Sequence, residues 1–148
     1  MEIRAATETD IPDIQSIYAH HVLTGTGTFE EEPPSVEEMA ERFAKVVGHG
    51  WSWLVAADAT GVLGFAYYTQ FRGRSAYRFC VEDSVYVRED VRGQGVGKSL
   101  VGRLIEEATS RGMRQMVGTM RAVGVKFGRW VDVVTMQRPL GRGDVDVP

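Results

Sequence analysis

Cysteine is nearly absent, with Cys80 the one thiol in 148 residues. An internal disulfide is therefore excluded, and the chemistry suits a reducing cytosol. Basic charge is not in excess either. Seventeen Lys and Arg stand against twenty Asp and Glu, a formal net charge of −3, so nucleic-acid binding lacks electrostatic support. No apolar run approaches the roughly 20 residues that cross a bilayer, and no membrane partner is expected. Met1 to Arg4 begin no apolar signal region, and a cytoplasmic location is expected. The histidines His20, His21 and His49 lack metal-ligand spacing with any other His, Cys or Asp, so no metal site is expected. No repeat, low-complexity tract or long linker breaks the chain. With 43% hydrophobic residues, it suits a single domain over residues 1–148, with a polar tail that frays from 141 to 148.

Periodicity divides the chain into elements. Ile3 to Ala6 reads as a short strand. A helix runs from about Ile11 to Val22, capped at Thr9 or Asp10, with Ile11, Ile14, Ile17 and Tyr18 facing inward. A loop from Leu23 to Pro34 leads to a second helix, opened by the capping box Ser35-x-x-Glu38, with Met39, Phe43 and Val46 apolar. Trp53 to Ala57 and Val62 to Thr69 form a hairpin around Asp58 to Gly61. Ala76 to Val87 is a longer strand. After a glycine loop, a third helix carries Val96, Leu100, Val101, Leu104, Ile105 and Ala108 on one face and ends near Gly112. Val117 to Val123 and Trp130 to Gln137 read as a last strand pair.

The glycine loop carries the chemistry. Arg92, Gly93, Gln94, Gly95, Val96, Gly97, Lys98 and Ser99 follow a strand and enter a helix. Such a turn leaves free backbone N–H groups at a helix N-terminus, an anion site. The P-loop pattern fails because Arg92 stands where its first glycine is required. The dinucleotide fingerprint fails because Lys98 stands where its third glycine is required. The antiparallel order also argues against either parallel fold. The pattern Arg-x-x-Gly-x-Gly fits without mismatch, and it resembles the coenzyme A pyrophosphate loop of the GNAT acetyltransferases.

Three further segments carry that resemblance toward one branch. They are Thr28 to Pro33, Val81 to Val87, and Gly124 to Asp132, the last in the pattern Gly-x-Lys-x-Gly-x-Trp-x-Asp. Together they resemble the phosphinothricin and methionine sulfoximine N-acetyltransferases over nearly the whole chain. The resemblance implies an α+β fold, a mixed and mostly antiparallel sheet flanked by helices. It implies acetyl transfer from acetyl-coenzyme A to the amino group of an amino-acid-like substrate, and a homodimer. Glu82 takes the place of the base that frees the amine lone pair. Arg92 to Ser99 would hold the pyrophosphate, and the Val85, Tyr86 and Val87 strand would hold the thioester arm, a backbone N–H there polarising its carbonyl. Arg72 and Arg74 are placed for the acceptor's anionic groups, or are solvated loop residues. Phe29, Lys126 and Trp130 would line the acceptor pocket, with packing the alternative for Phe29 and Trp130.

One feature departs from the family. After the third helix it continues with a strand and a helix, which need roughly 20 residues. Here Met116 passes almost directly into the last strand pair, so the fold is expected to lack one strand and one helix. An omitted stretch, a genuine deletion or a second chain filling the gap would each account for it. The departure also keeps open an alternative, a degenerate GNAT domain that binds coenzyme A weakly and has no catalytic role. A third reading, a P-loop nucleotide binder, rests on Gly97-Lys98-Ser99 alone.

Overall fold

The computed structural model describes residues 1–118, 124–126, 129–131 and 136–143, and of 124–126, 129–131 and 136 the backbone alone. Strand β1 (Glu2–Ala5) leads through a 3-10 turn (Glu8–Asp10) into helix α1 (Ile11–Thr24). Asp10 precedes α1, but its carboxylate does not cap the helix. It accepts from both terminal nitrogens of Arg4 at 2.7 Å and from the Thr7 N–H at 2.8 Å. The Arg4 hydrogen bonds hold its carboxyl down to about 2. Helix α2 (Val36–Gly48) starts at the expected capping box. The Glu38 N–H donates to Ser35 Oγ at 3.2 Å, and the Ser35 N–H to Glu38 Oε2 at 2.8 Å.

Strands β2 (Trp53–Asp58), β3 (Gly61–Gln70) and β4 (Cys80–Val87) follow as an antiparallel meander. Helix α3 (Val96–Ser110) crosses over to β5 (Gln115–Gly118), and β8 (Met136–Pro139) closes the sheet. The order is β1-β2-β3-β4-β5-β8, with β4–β5 the one parallel pair in it. Strands β6 (Gly124–Lys126) and β7 (Arg129–Val131) pair separately as a ribbon. The sheet separates two cores. On one face Ile14, Tyr18, Met39 and Phe43 from α1 and α2 pack on Trp53, Phe65 and Tyr86. On the other, Leu100, Leu104 and Ala108 of α3 pack on Leu54, Leu63, Tyr68 and Val81. Each such side chain, fully buried, contributes on the order of 1.5–3 kcal/mol.

The expected α+β architecture is present, with one correction. The strand expected to be missing exists: β5 lies beside β4, pairing Cys80 with Gln115 and Glu82 with Val117. It occupies residues too few to show alternation, and its partner lies a whole helix away in sequence. Among the described residues no helix follows α3, and only residues 119–123 join β5 to β6. Strand β4 begins at Cys80 rather than Ala76, because Ser75–Tyr77 form a 3-10 turn. The last expected pair, Val117 to Val123 with Trp130 to Gln137, is present where it is described, with Val117 facing Gln137 and Gly118 facing Met136 across β5 and β8, while 119–123 and 132–135 lie outside the described residues. The tail expected to fray from 141 is tied as far as Gly143, whose carbonyl accepts from Arg114 Nε at 2.8 Å. Residues 144–148 lie outside the described residues. No helix among the described residues is long and apolar enough to cross a membrane.

Candidate active site

Strand β4 has one closed edge and one open edge. On the closed edge it pairs with β3 from Val81 to Val87 without a register shift. The Arg88 N–H donates to Leu63 O at 2.9 Å, and the Phe71 N–H to Cys80 O at 3.0 Å. Antiparallel alternation then turns the backbone groups of residues 82, 84 and 86 toward β3 and those of 81, 83, 85 and 87 away from it. On that far side β5 pairs only from Cys80 to Glu82. The backbone of Val85 and Val87 therefore faces a gap. His21 fills part of it, its Nε2 lying 2.9 Å from Val87 O. Among the described residues the Val85 and Val87 N–H groups have no partner, and Val85 lines an open cavity.

The glycine loop stands at the mouth of this gap. Gly93 and Gly95 take φ of +77° and +84°, a left-handed conformation that side chains resist. They turn the chain so that α3 starts against β4, with a Cβ at Gly97 only 3.4 Å from Val87 Cγ2. The first α-helical bond from the loop is Ser99 N–H to Gly95 O, 3.0 Å. Among the described residues the N–H groups of Val96, Gly97 and Lys98 thus have no partner, and no side chain caps the helix. These donors and the helix dipole suit an anion. Arg92 lies beside them, exposed, its Nη1 at 2.9 Å from Glu89 Oε2. A surface pair of this kind contributes about 0–1 kcal/mol and exchanges readily for another anion. Lys98 is exposed. Between α1 and β4 opens a cavity of about 590 Å³, lined by His20, His21, Gly27, Val85, Tyr86 and Arg92. A smaller one, about 350 Å³ around Asp13, Thr60 and Arg88, holds none of the expected site residues.

Glu82 lies on the α1 and α2 face of β4, as do Ser84 and Tyr86. Its side chain reaches solvent, yet partial burial, and then the charge of Asp83, raise its pKa. Burial likewise raises Asp83 on the opposite face. Tyr67, paired with Ser84 across the strands, is raised by its own burial and feels Arg42, Glu30 and Glu82. Tyr86 is expected at the coenzyme, but its ring is buried among Tyr18, His21 and Phe65. Its hydroxyl donates to Gly27 O at 3.4 Å, which leaves the ring as a cavity wall.

Phe29 projects from the α1–α2 loop, 43% exposed. Arg72 stacks on Phe71 and Tyr77, 5.1 and 5.7 Å from their ring centres. Arg74 is exposed. Gln70 Nε2 donates to both Arg72 O and Arg74 O, so one amide shapes the turn that carries both arginines. Lys126 and Trp130 fall in the β6–β7 ribbon, where Lys126 pairs with Arg129 and Trp130 with Val125, and their side chains lie outside the described residues. The sequence does not mark Gln70, Tyr67 or Glu89, and it offers His21 only as a histidine without metal-ligand spacing. Each is a single polar residue in an apolar or loop context, with no spacing to mark it. Among the described residues no group of three or more His, Cys, Asp or Glu is placed to hold a metal ion.

Comparison with known proteins agrees with this geometry. The profile of the acetyltransferase (GNAT) family matches residues 14–124. The chain is 44% identical to a phosphinothricin N-acetyltransferase of Alcaligenes faecalis, covering 99% of this chain and 86% of that one. It is 37% identical to the L-methionine sulfoximine/L-methionine sulfone acetyltransferase of Pseudomonas aeruginosa, covering 91% and 92%. A GNAT superfamily phosphinothricin acetyltransferase from Sinorhizobium meliloti, crystallised with AcCoA, superposes with a TM-score of 0.95 at 42% identity, covering 99% and 92%. The first alignment spans 169 positions against 148 residues, so at least 21 positions have no residue of this chain.

Proposed function

The chain belongs to the GNAT acetyltransferase family, and from that premise we propose that it acetylates the amino group of an amino-acid-like substrate of the phosphinothricin or methionine sulfoximine type. The acetyl group comes from acetyl-coenzyme A, which supplies an activated thioester. The residues present fit that co-substrate, since the glycine loop offers unpartnered N–H donors and β4 offers an unpaired edge beside them. Arg92 and the Gly93 to Ser99 segment would hold the pyrophosphate, through the free N–H groups of Val96, Gly97 and Lys98, since the Ser99 N–H is already bonded to Gly95 O. The Val85 N–H donates to the thioester carbonyl oxygen and stabilises the charge that builds there. Tyr86 walls the site and Val87 packs the start of α3.

Glu82 is the base. An ammonium has no lone pair, so a carboxylate oxygen of Glu82 takes its proton, directly or through a water. Its raised pKa brings that proton exchange closer to neutral pH. Arg72 and Arg74 meet the acceptor's carboxylate or phosphinate, and Phe29, Lys126 and Trp130 line its pocket. We place the enzyme in the cytoplasm as a single-domain protomer of a homodimer. The lone thiol and the family resemblance support this.

The observation that carries the reading is the open edge of β4, with Glu82 on the same strand and the glycine loop at its end. Thiol release from acetyl-coenzyme A with phosphinothricin, methionine sulfoximine and other amino acids tests it. The wild type turns over at least one of them, and Glu82→Gln lowers kcat by about a hundredfold or more. The shortfall after β5 favours a second reading, a domain that binds coenzyme A without catalysis. Coenzyme binding with no turnover of any amine would establish that reading instead.

A further inference from the structure

The loop between α1 and α2 is stitched down by four polar side chains. The Tyr18 hydroxyl, on a residue 6% exposed, donates to Glu30 Oε1 at 3.0 Å. A carboxylate only accepts, so the Tyr18 proton is committed there, and Thr28 Oγ1 donates to Tyr18 at 2.9 Å. The Glu30 N–H donates back to Thr28 Oγ1 at 3.2 Å. From α2, Arg42 grips both oxygens of Glu30, at 2.7 and 3.1 Å, and its guanidinium lies 5.9 Å from the centre of the Tyr18 ring. A two-point guanidinium–carboxylate pair fixes orientation as well as distance. Phe29 stands between the two stitched residues.

This clasp lies over the face of the sheet that carries Glu82. Tyr67 senses Arg42, Glu30 and Glu82 together, and Tyr86 bonds the same loop at Gly27. We infer that Glu30 and Arg42 are the positioning pair of the acceptor site, holding the α1–α2 loop and Phe29 over Glu82 and so setting the affinity for the amine. The inference rests on the acetyltransferase reading of that face. Neither residue touches the glycine loop, so the coenzyme site is independent of the pair.

Arg42→Ala releases the clasp from α2 while Tyr18 still holds Glu30. The expected result is a KM for the amine raised about fivefold or more, kcat within twofold, and an unchanged coenzyme A Kd. Amide exchange across residues 28–34 speeds up while exchange in α3 stays as it was. Arg42→Lys restores part of the KM. The double variant Glu30→Arg with Arg42→Glu restores more than either single change, which a general loss of folding would not allow. An unchanged KM beside an active wild type overturns the pair's role alone, and a changed coenzyme Kd overturns its independence. A wild type that acetylates no amine removes the proposed function, and this inference falls with it.

Discussion

The two edges of β4 differ in what they bind. Toward β3 the strand is paired through Val87. Toward β5 it is paired, among the described residues, only as far as Glu82, which leaves the Val85 and Val87 amides open beside a helix start with three more free N–H groups. Among the described residues these five donors stand together at an open cavity, where water satisfies them until a ligand takes its place. One edge holds the sheet together and the other is where an extended, anionic co-substrate fits. The faces of β4 divide the work again, with Glu82 and the loop clasp on one side and the packing of α3 on the other.

Breaking the closed edge has the largest effect on stability. A Cβ on Gly64 falls 2.8 Å from Tyr86 O and 3.2 Å from Val87 Cα. Gly64→Ala is expected to cost about 1–3 kcal/mol in urea denaturation, as overpacking does. Breaking the open edge acts on affinity first. Gly95→Ala keeps free space around its Cβ but forces φ of +84° on a side chain, for about 1–2 kcal/mol. Calorimetry should show weaker coenzyme A binding with the sheet intact. Arg92→Ala comes next, lowering that affinity by up to about tenfold, most at low salt, since exposed charges are screened.

The smallest effects are in the pH profile. Glu82 titrates above the ordinary carboxylate range, from burial and then from Asp83. The acid limb of kcat/KM therefore lies above that range. Asp83→Asn removes a neighbouring negative charge and moves the limb to lower pH. The stability sign follows from the same shifts. In the native state both carboxyls keep their protons to higher pH than in the unfolded chain, so stability falls as pH rises from the ordinary carboxylate range through their raised values. Asp83→Asn should flatten that fall in thermal melts. A profile identical to wild type would remove Asp83 as a cause.

Much of this was legible because it is local. The Ser35–Glu38 box, the inward stripe of α1, the hairpin at Asp58 to Gly61 and the glycine loop each declare themselves within a few residues. Strand β5 did not. Its four residues are strand because β4 offers them an edge, a contact made across the whole of α3. Asp10 was expected as a possible helix cap, but Arg4 claims its carboxylate. The site divides in the same way. Glu82 and the loop carried motif signals, whereas Arg42 and Glu30, twelve positions apart on different elements, meet only in the fold.

The most direct test of the open edge is amide exchange by NMR with and without acetyl-coenzyme A. The Ser84 and Tyr86 amides, already bonded to β3, should be slow in both states. The Val85 amide, together with those of Val96, Gly97 and Lys98, should exchange fast alone and slow markedly on binding. Equal protection of Val85 and Tyr86 without the co-substrate, or no change at Val85 when it binds, would contradict the account.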